Sequence, residues 1–468
     1  MSREIKERIK TIFIYILLVS GLLQVGILWS YQNQGAPISF LERLFSNDIQ
    51  ISNEAVREDL FMPDRIIVSD GEYSNSHWLI TETNEYYNDF WNEAVAGLTK
   101  IADGKVRLTA SAEIWDKIVE KRGFLIDFRY PVEPELLGWF LGTGDPANDM
   151  PEFTKIMIKR DIINGDIGTF YIYGEDGAVY TSNPIRYEKA VNLTNAINRL
   201  YENVDQLNRR YYSFAGSNIQ KKEDEPDVLY AAVSPRYWSY PVISADPPEM
   251  TEIRDELDYI ILGSDAARYN KYIYNENVIQ FTYGSNIYRY YPDGYLTYRY
   301  LGSAEQDSRS RAHEALMNAY QFIARKKELY DSQANITLTS VEKKAGGIYK
   351  FGFDYKIEGM LVKIDYDMKD GNGNKLQHAI SIVADSKRVL ECDWLFRNFR
   401  HARSGMYNDR VLELMGQNKI LFDDINIRQI DTGFYIDNRQ SEVLEPALII
   451  ETKNKGLIFL DLQPEEGD

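Results

Sequence analysis

The chain has 468 residues and a formal net charge of −18, with one cysteine and four histidines. A single cysteine excludes an internal disulfide framework and a cysteine-rich zinc module. The acidic balance argues against a nucleic-acid-binding protein, which needs a basic face. The hydrophobic content of 44% and charged content of 26% are typical of a folded protein of two or three domains.

The first candidate element is a membrane anchor. Residues Thr11–Tyr31 contain no charged side chain over 21 positions. As a helix this stretch would span about 32 Å, enough for a hydrocarbon core of about 30 Å. Four basic and two acidic residues precede it, which favours a cytoplasmic N-terminus and gives the stub a charge of +2 against −20 after the anchor. We therefore predict a single-pass cell-membrane protein with its C-terminal bulk outside the cytoplasm.

A cleaved signal peptide is the competing interpretation of the same stretch. Its apolar core would be shorter and would end in a small-x-small site. Residues 30–33 read Ser-Tyr-Gln-Asn, which is a poor cleavage site. An uncleaved anchor is therefore the favoured prediction.

Two polar residues lie on one face of the predicted anchor. Gln24 is near the bilayer midplane, and Ser20 lies one turn earlier. A buried amide in lipid favours a hydrogen bond to another helix, worth about 0.6–2 kcal/mol. These residues are either a lateral docking stripe for another membrane helix or polar residues tolerated in a simple anchor.

The remainder predicts an α+β fold in which antiparallel sheets carry helices packed on one side. Composition and turn signals divide the chain into 1–10 (cytoplasmic stub), 11–31 (transmembrane anchor), 32–37 (linker), 38–185 (α+β domain 1), 186–302 (α+β domain 2 with a tyrosine-rich meander) and 303–468 (helix-plus-meander domain).

The first α+β block contains two helices and a strong strand. Thr83 is a candidate cap for a helix with an apolar face from Tyr87 to Ile101. A second helix follows Ser111, with Ile114, Trp115 and Ile118 expected to point inward. Apolar residues then alternate from 124 to 130, and we expect Pro131 to end that strand.

The second block ends in a tyrosine-dense meander, in which 10 of the 32 residues from Tyr269 to Tyr300 are tyrosine. One interpretation is an aromatic surface that stacks on cell-wall sugars or clamps a partner strand, with candidate residues Tyr283, Tyr288, Tyr290 and Tyr298. The alternative is cross-strand pairing within a half-exposed sheet, worth about 0.2–1 kcal/mol per pair. We favour the alternative, because an acidic exterior would also repel anionic wall polymers.

The third block carries the clearest patterns. An alanine-rich helical stripe runs from Ala312 to Ile323, and apolar residues alternate from Tyr349 to Ile357. Cys392 falls on the apolar side of a later strand, which predicts a buried, inert thiol.

Motifs for catalysis are absent from the sequence. It has no G-x-S-x-G, H-E-x-x-H or G-x-x-x-x-G-K-[ST] pattern, and no two histidines stand at ligand spacing. We therefore predict no enzyme activity, no metal and no cofactor.

The overall pattern resembles the YycH family. Three stretches carry the likeness: the end of the anchor at Gly26–Tyr31, the meander segments Phe281–Asn286 and Tyr290–Tyr298, and the unit after Ser308, which is similar to a domain that YycH shares with YycI. The family comprises membrane-anchored regulators of the sensor histidine kinase YycG, also called WalK, which governs cell-wall metabolism.

This resemblance implies a non-enzymatic regulator that acts through protein–protein contacts. Its expected partners are the transmembrane helices of the kinase and a YycI-like single-pass membrane protein. The alternative function is an extracytoplasmic ligand-binding or cell-wall-associated module, and an anchored enzyme is a more distant one.

Overall fold

The structure is a computed structural model. It describes residues 52–71, 76–144, 150–161, 166–202, 210–214, 230–234, 237–248, 257–274, 278–302, 311–326, 334–365, 375–418, 427–437, 443–452 and 456–465. The predicted stub, anchor and linker lie outside these ranges. Within them, no helix combines the length and the apolar character needed to cross a membrane.

Short helices alternate with many strands along the described chain. The α-helices are α1 (Asn53–Leu60), α2 (Tyr87–Ala102), α3 (Trp115–Val119), α4 (Pro134–Leu141), α5 (Leu193–Glu202), α6 (Leu257–Leu262), α7 (Ala312–Ala324) and α8 (Val411–Gln417). A 3₁₀ helix, Gly263–Arg268, follows α6 directly.

The N-terminal sheet is built from the first strands of the described chain, in the order β10-β9-β2-β1-β4-β5-β6-β7-β3 with β8 beside β6. These strands are β1 (Arg65–Ser69), β2 (His77–Ile80), β3 (Leu108–Ala110), β4 (Gly123–Val132), β5 (Phe153–Arg160), β6 (Ile167–Gly174), β7 (Val179–Ser182), β8 (Ile185–Arg186), β9 (Arg210–Ser213) and β10 (Tyr230–Ser234).

The later strands form two further sheets. They are β11 (Tyr237–Asp246), β12 (Asn270–Ile273), β13 (Ile279–Tyr283), β14 (Asn286–Tyr290), β15 (Tyr295–Tyr300), β16 (Asn335–Lys343), β17 (Tyr349–Ile357), β18 (Met360–Ile364), β19 (Ile380–Ala384), β20 (Val389–Leu395), β21 (Asn398–Asn408), β22 (Ile427–Ile436), β23 (Val443–Leu444), β24 (Ala447–Thr452), β25 (Gly456–Asp461) and β26 (Gln463–Pro464).

The small sheet has the order β23-β11-β21-β26, and the C-terminal sheet has the order β12-β13-β14-β15-β20-β19-β17-β18-β22-β24-β25 with β16 beside β17. Neighbouring described strands are antiparallel except β18 and β22, which are parallel. The N-terminal and C-terminal sheets each contain strands from both sides of a predicted domain boundary, at 185 and at 302 respectively. The division into three blocks stays a prediction.

The predicted apolar face of α2 is confirmed, but its predicted cap is wrong. Phe90, Ala94 and Leu98 are buried against the N-terminal sheet. The helix begins at Tyr87, because the Thr83 hydroxyl pairs with another threonine instead of capping the helix.

Helices cover both faces of the N-terminal sheet, so the prediction of helices on one side is wrong there. While α2 covers one face, Trp115 and Ile118 of α3 pack with Leu125 on the other. Successive residues of β4 point to opposite faces of the sheet, and Phe124 and Leu125 are both apolar and buried. Each face of the sheet therefore needs a covering helix. Ile114, expected to point inward, is 61% exposed, because it precedes α3 as its N-cap residue.

Proline does not end β4 as predicted. The strand continues through Pro131 to Val132. Its pairing with β5 is interrupted between Asp127 and Val132, and this irregularity accommodates a residue that has no N–H to donate.

The C-terminal sheet keeps the predicted alternation but buries part of its second face. The aromatic residues of β17, such as Phe351 and Phe353, lie in the core with α7. On the opposite face Asp354 is 0% exposed and Lys356 is 4% exposed. Charged residues are rarely buried in this way unless they are paired. The ion pairs on this face are therefore described with the functional site.

Two helical glycines provide a test of the packing. A Cβ at Gly97 of α2 would lie 2.1 Å from Cζ of Phe170, whereas a Cβ at Gly416 of α8 would meet nothing within 4 Å. We expect Gly97→Ala to lower the free energy of unfolding by about 1–3 kcal/mol through overpacking. The control Gly416→Ala should raise it by up to about 1 kcal/mol through helix propensity. Urea unfolding measures both, and equal shifts would contradict the close approach of α2 to β6.

Candidate functional site

A cleft of about 670 Å³ opens where the three sheets meet. Strands β1, β2 and β10 of the N-terminal sheet line it, together with β11 of the small sheet and β18, β22 and β24 of the C-terminal sheet. This volume is within the range of about 300–1,000 Å³ that is common for ligand sites. The cleft is therefore the candidate functional site among the described residues.

The floor of the cleft is a buried network of ion pairs that joins two sheets. Arg65 of β1 contacts Asp127 of β4 at 2.9 Å and Asp431 of β22 at 3.1 Å. Arg129 of β4 contacts the same Asp431, and its Nε lies 2.9 Å from Oδ1 of Asp64. Asp431 therefore bridges two arginines of the N-terminal sheet from the C-terminal sheet.

Burial and ion pairing act in opposite directions on this floor. Burial alone raises the pKa of Asp64, but attraction to Arg129, Lys356 and Arg65 outweighs it and lowers that pKa to about 2. For Arg129, burial lowers the pKa, but Asp64, Asp431 and Glu451 raise it overall. These groups stay charged at physiological pH, so the floor suits recognition better than proton transfer.

A second buried carboxylate lies beside the cleft. Asp354 Oδ2 accepts hydrogen bonds from Lys363 Nζ at 2.7 Å and from Thr339 Oγ1 at 2.8 Å, and it lies 3.1 Å from Nδ1 of His378. The Ala379 N–H donates to its other oxygen at 3.0 Å. Burial raises the pKa of Asp354, but Lys363 and His378 hold it well below the usual range. Lys363 also lines the cleft, and its positive charge is balanced by Asp354, which is not a lining residue.

Aromatic side chains form much of the wall. Tyr86, Tyr211 and Trp238 line the cleft and are half-buried. Tyr240 is buried and its hydroxyl donates to Oδ2 of Asp409 at 2.5 Å. The hydroxyl of Tyr230, another lining residue, has no hydrogen-bond partner among the described atoms.

One rim residue has an unfavourable backbone conformation. Glu358, in the two-residue turn between β17 and β18, has φ +48°, and it is the one non-glycine residue with positive φ in the described part of the chain. Gly359 follows with φ +82°, and a Cβ there would lie 3.2 Å from Cβ of Thr81. Such turns favour Asn-Gly, so a glutamate is held here at a conformational cost.

The structure buries most of the predicted aromatic surface. Tyr283 is 47% exposed, but Tyr288 is 9%, Tyr290 0% and Tyr298 6% exposed. Tyr288 and Tyr298 are cross-strand partners with ring centroids 4.6 Å apart, and both rings pack near Phe322 of α7. For these three residues the prediction of an exposed face is wrong, because Tyr288 and Tyr298 pack near Phe322 of α7 and Tyr290 packs near Phe396. The cross-strand alternative describes the pairing of Tyr288 with Tyr298, whereas Tyr290 is opposite Ile279 and Leu296.

Other predicted positions have mixed outcomes. Ser20 and Gln24 lie outside the described residues, so the docking stripe stays a prediction. Cys392 is buried as predicted, and burial raises the pKa of its thiol well above the usual range. The described residues contain no group of acidic, histidine and cysteine side chains arranged to hold a metal ion.

Sequence reasoning missed the residues of the cleft floor. Arg129 stands at a polar position of the alternation in β4, and Asp431 is an acid within β22. A charge at a core-strand position is a signal of pairing, but its partner lies 302 residues away and no local pattern identifies it.

Comparison with known proteins identifies a similar fold. The crystal structure of YycH from Bacillus subtilis matches with a TM-score of 0.56 and 10% sequence identity, over 87% of this chain and 96% of that chain. At this identity the likeness shows a shared fold. No family model and no curated protein matches the chain. The predicted α+β class with mainly antiparallel sheets and the YycH-like fold are thus confirmed.

The ionic floor predicts a specific loss of stability in acid. Because the pKa of Asp64 is about 2 in the fold against about 3.8 in the unfolded chain, its contribution is complete above pH 4 and is lost as pH falls from about 4 to 2. We expect the wild type to lose about 2 kcal/mol more than Asp64→Asn over this range. Urea unfolding at pH 7, 4 and 2 measures this difference, and equal losses would contradict the ion-paired geometry.

The strained turn predicts a stabilising substitution. Glu358→Asn should raise the free energy of unfolding by about 1 kcal/mol, because asparagine tolerates positive φ. The substitution also removes the contact with His401 at 3.5 Å, an exposed pair of small value. Glu358→Ala is the control and should give no gain, because alanine keeps the strain. Thermal unfolding compares the two, and a loss of stability in Glu358→Asn would argue against a strained turn.

Proposed function

We propose that this chain is a membrane-anchored, non-enzymatic regulator that modulates a sensor histidine kinase of cell-wall metabolism. One observation carries the proposal: a YycH-like fold that extends over 87% of this chain and 96% of the YycH chain. A likeness over nearly the whole length supports a common kind of role, because no large part of either chain is left for a separate activity.

The architecture of the cleft floor supports a binding role. Asp64 is held ionised by Arg129, Lys356 and Arg65, so it is a poor candidate for a general acid or base at neutral pH. The ion pairs of the floor join the N-terminal and C-terminal sheets. An extracytoplasmic part held together in this way is a rigid scaffold for protein–protein contacts.

The membrane contact would be made by the predicted anchor. The N-terminus of the anchor would be cytoplasmic. Gln24 and Ser20, on one face of this helix, would form hydrogen bonds with a transmembrane helix of the kinase. The extracytoplasmic bulk would associate with a YycI-like single-pass protein. A docked helix biases a two-state kinase toward whichever state it binds better, so activation and inhibition are both compatible with this contact.

A second candidate function is an extracytoplasmic ligand-binding module. The buried tyrosine meander no longer supports it, but the cleft does. A concave site of about 670 Å³ with aromatic walls and fixed charges is typical of ligand recognition. The two functions are compatible, since a regulator can respond to a bound ligand.

The regulatory proposal is tested in the membrane. Replacing residues 12–28 with an unrelated spanning helix should abolish the effect on kinase output, because the docking face is lost while the anchor remains. Gln24→Leu should weaken association with the kinase several-fold, in line with about 0.6–2 kcal/mol for one such hydrogen bond. Reporter expression from a kinase-dependent promoter measures the first effect, and co-purification of the kinase with the Gln24→Leu variant measures the second.

Gln32→Leu is the matched control, since it removes the same side chain just outside the predicted span. It should leave kinase output unchanged. Immunoblotting of membrane fractions verifies equal amounts of each variant. If kinase output stays at the wild-type level after the helix replacement, regulation through this helix is excluded.

A further inference from the structure

The cleft has an excess of negative charge. Its acids outnumber its bases by five to four among the described lining residues, which are Asp64, Glu85, Glu358, Asp409 and Asp431 against Arg65, Arg129, Arg199 and Lys363. Two of these bases are also neutralised from behind, Arg65 by Asp127 at 2.9 Å and Lys363 by Asp354 at 2.7 Å. The potential inside therefore favours a cation.

The walls suit the same kind of ligand. Tyr86, Tyr211 and Trp238 present half-buried rings toward the cavity. Aromatic faces attract ammonium and guanidinium groups, tryptophan most strongly. Rings also give apolar contact to the methylene stem of a long cationic side chain.

One tyrosine at the cleft has a buried hydroxyl group. Tyr230 lines the cleft and is 5% exposed, and its hydroxyl has no hydrogen-bond partner among the described atoms. Buried tyrosine hydroxyls are normally paired, because an unmade hydrogen bond in the interior is costly. This oxygen is itself inaccessible, so it is not a contact for a ligand in the cleft.

The rim adds an independent observation. Glu358 lies at the mouth of the cleft with φ +48°, where asparagine or glycine would be the relaxed choice. Strain of this kind is concentrated at functional sites, where the side chain repays it. Here the Glu358 carboxylate is more than half exposed at the lining of the cleft, and its Oε1 lies 3.5 Å from Nδ1 of His401.

We propose that the cleft binds a lysine or arginine side chain presented by an extended peptide segment of a partner protein. The apolar part of the lining, including Met360, Leu448 and Ile449, accommodates the residues next to the cation. A volume of about 670 Å³ exceeds what one side chain fills, which favours a peptide over a free amine. This inference rests on the ligand-binding candidate function and names its ligand.

The test is calorimetric titration of the full chain in a nonionic detergent with four probes. They are acetyl-Ala-Ala-Lys-Ala-Ala-amide, the same peptide with norleucine for lysine, the same peptide with glutamate for lysine, and spermidine. The lysine peptide should bind at least tenfold more tightly than each of the other three. Glu358→Asn should weaken its binding at least threefold while the protein is no less stable.

Glu342→Asn is the matched control, because it removes one exposed carboxylate from another hairpin of the same sheet, away from the cleft. Glu342→Asn should bind the lysine peptide as tightly as the wild type does. This result would separate a local effect of Glu358 from an effect of the overall net charge of −18. Equal binding of the lysine and norleucine peptides would overturn the cationic assignment. Equal or tighter binding of spermidine would overturn the peptide assignment.

The outcome is distinguishable from failure of kinase regulation. Absence of binding by any peptide would overturn this inference, whereas the wider ligand-binding function is not limited to a cationic peptide. Regulation through the membrane helix is measured by the helix replacement in cells, and that readout does not depend on the peptide titration.

Discussion

The structure depends on the bridge that Asp431 makes between Arg65 and Arg129. These partners are 366 and 302 residues apart in the chain. The Arg65 side chain is 8% exposed and that of Asp431 is 19% exposed, so removing one partner leaves a partly desolvated charge, whereas the intact pair roughly offsets its own desolvation. The bridge therefore contributes little to net stability, and it connects β22 of the C-terminal sheet to β1 and β4 of the N-terminal sheet.

The cleft follows from this bridge. Sheets that pack through apolar side chains alone leave little empty space, because interiors are close-packed. Here charged side chains separate β1 and β4 from β22, and the space above them is lined by rings and carboxylates. Ion pairs also hold the charged side chains of the floor in place before a ligand binds. Binding would therefore cost little side-chain entropy at these residues.

Tyrosine, the most unusual feature of the composition, turns out to have a mainly structural role in the meander. Tyr288 and Tyr298 stack across strands and against α7, and the Tyr298 hydroxyl donates to Oδ1 of Asn286 at 2.7 Å. The tyrosines that line the cleft come instead from separate parts of the chain, at positions 86, 211, 230 and 240. The local density of a residue type thus predicted the packing of a sheet and did not predict the location of the candidate site.

The sequence by itself determined the α+β class, the apolar faces of α2 and α7, the alternation in β4 and β17, and the burial of Cys392. Each of these is a local pattern, set by the period of a helix or a strand. Only the tertiary structure decided which faces were covered, which is why Tyr290 is buried, Ile114 is exposed and Asp354 lies in the interior. It also decided the cleft, because Arg129 and Asp431 meet through contacts between distant strands that no local period encodes.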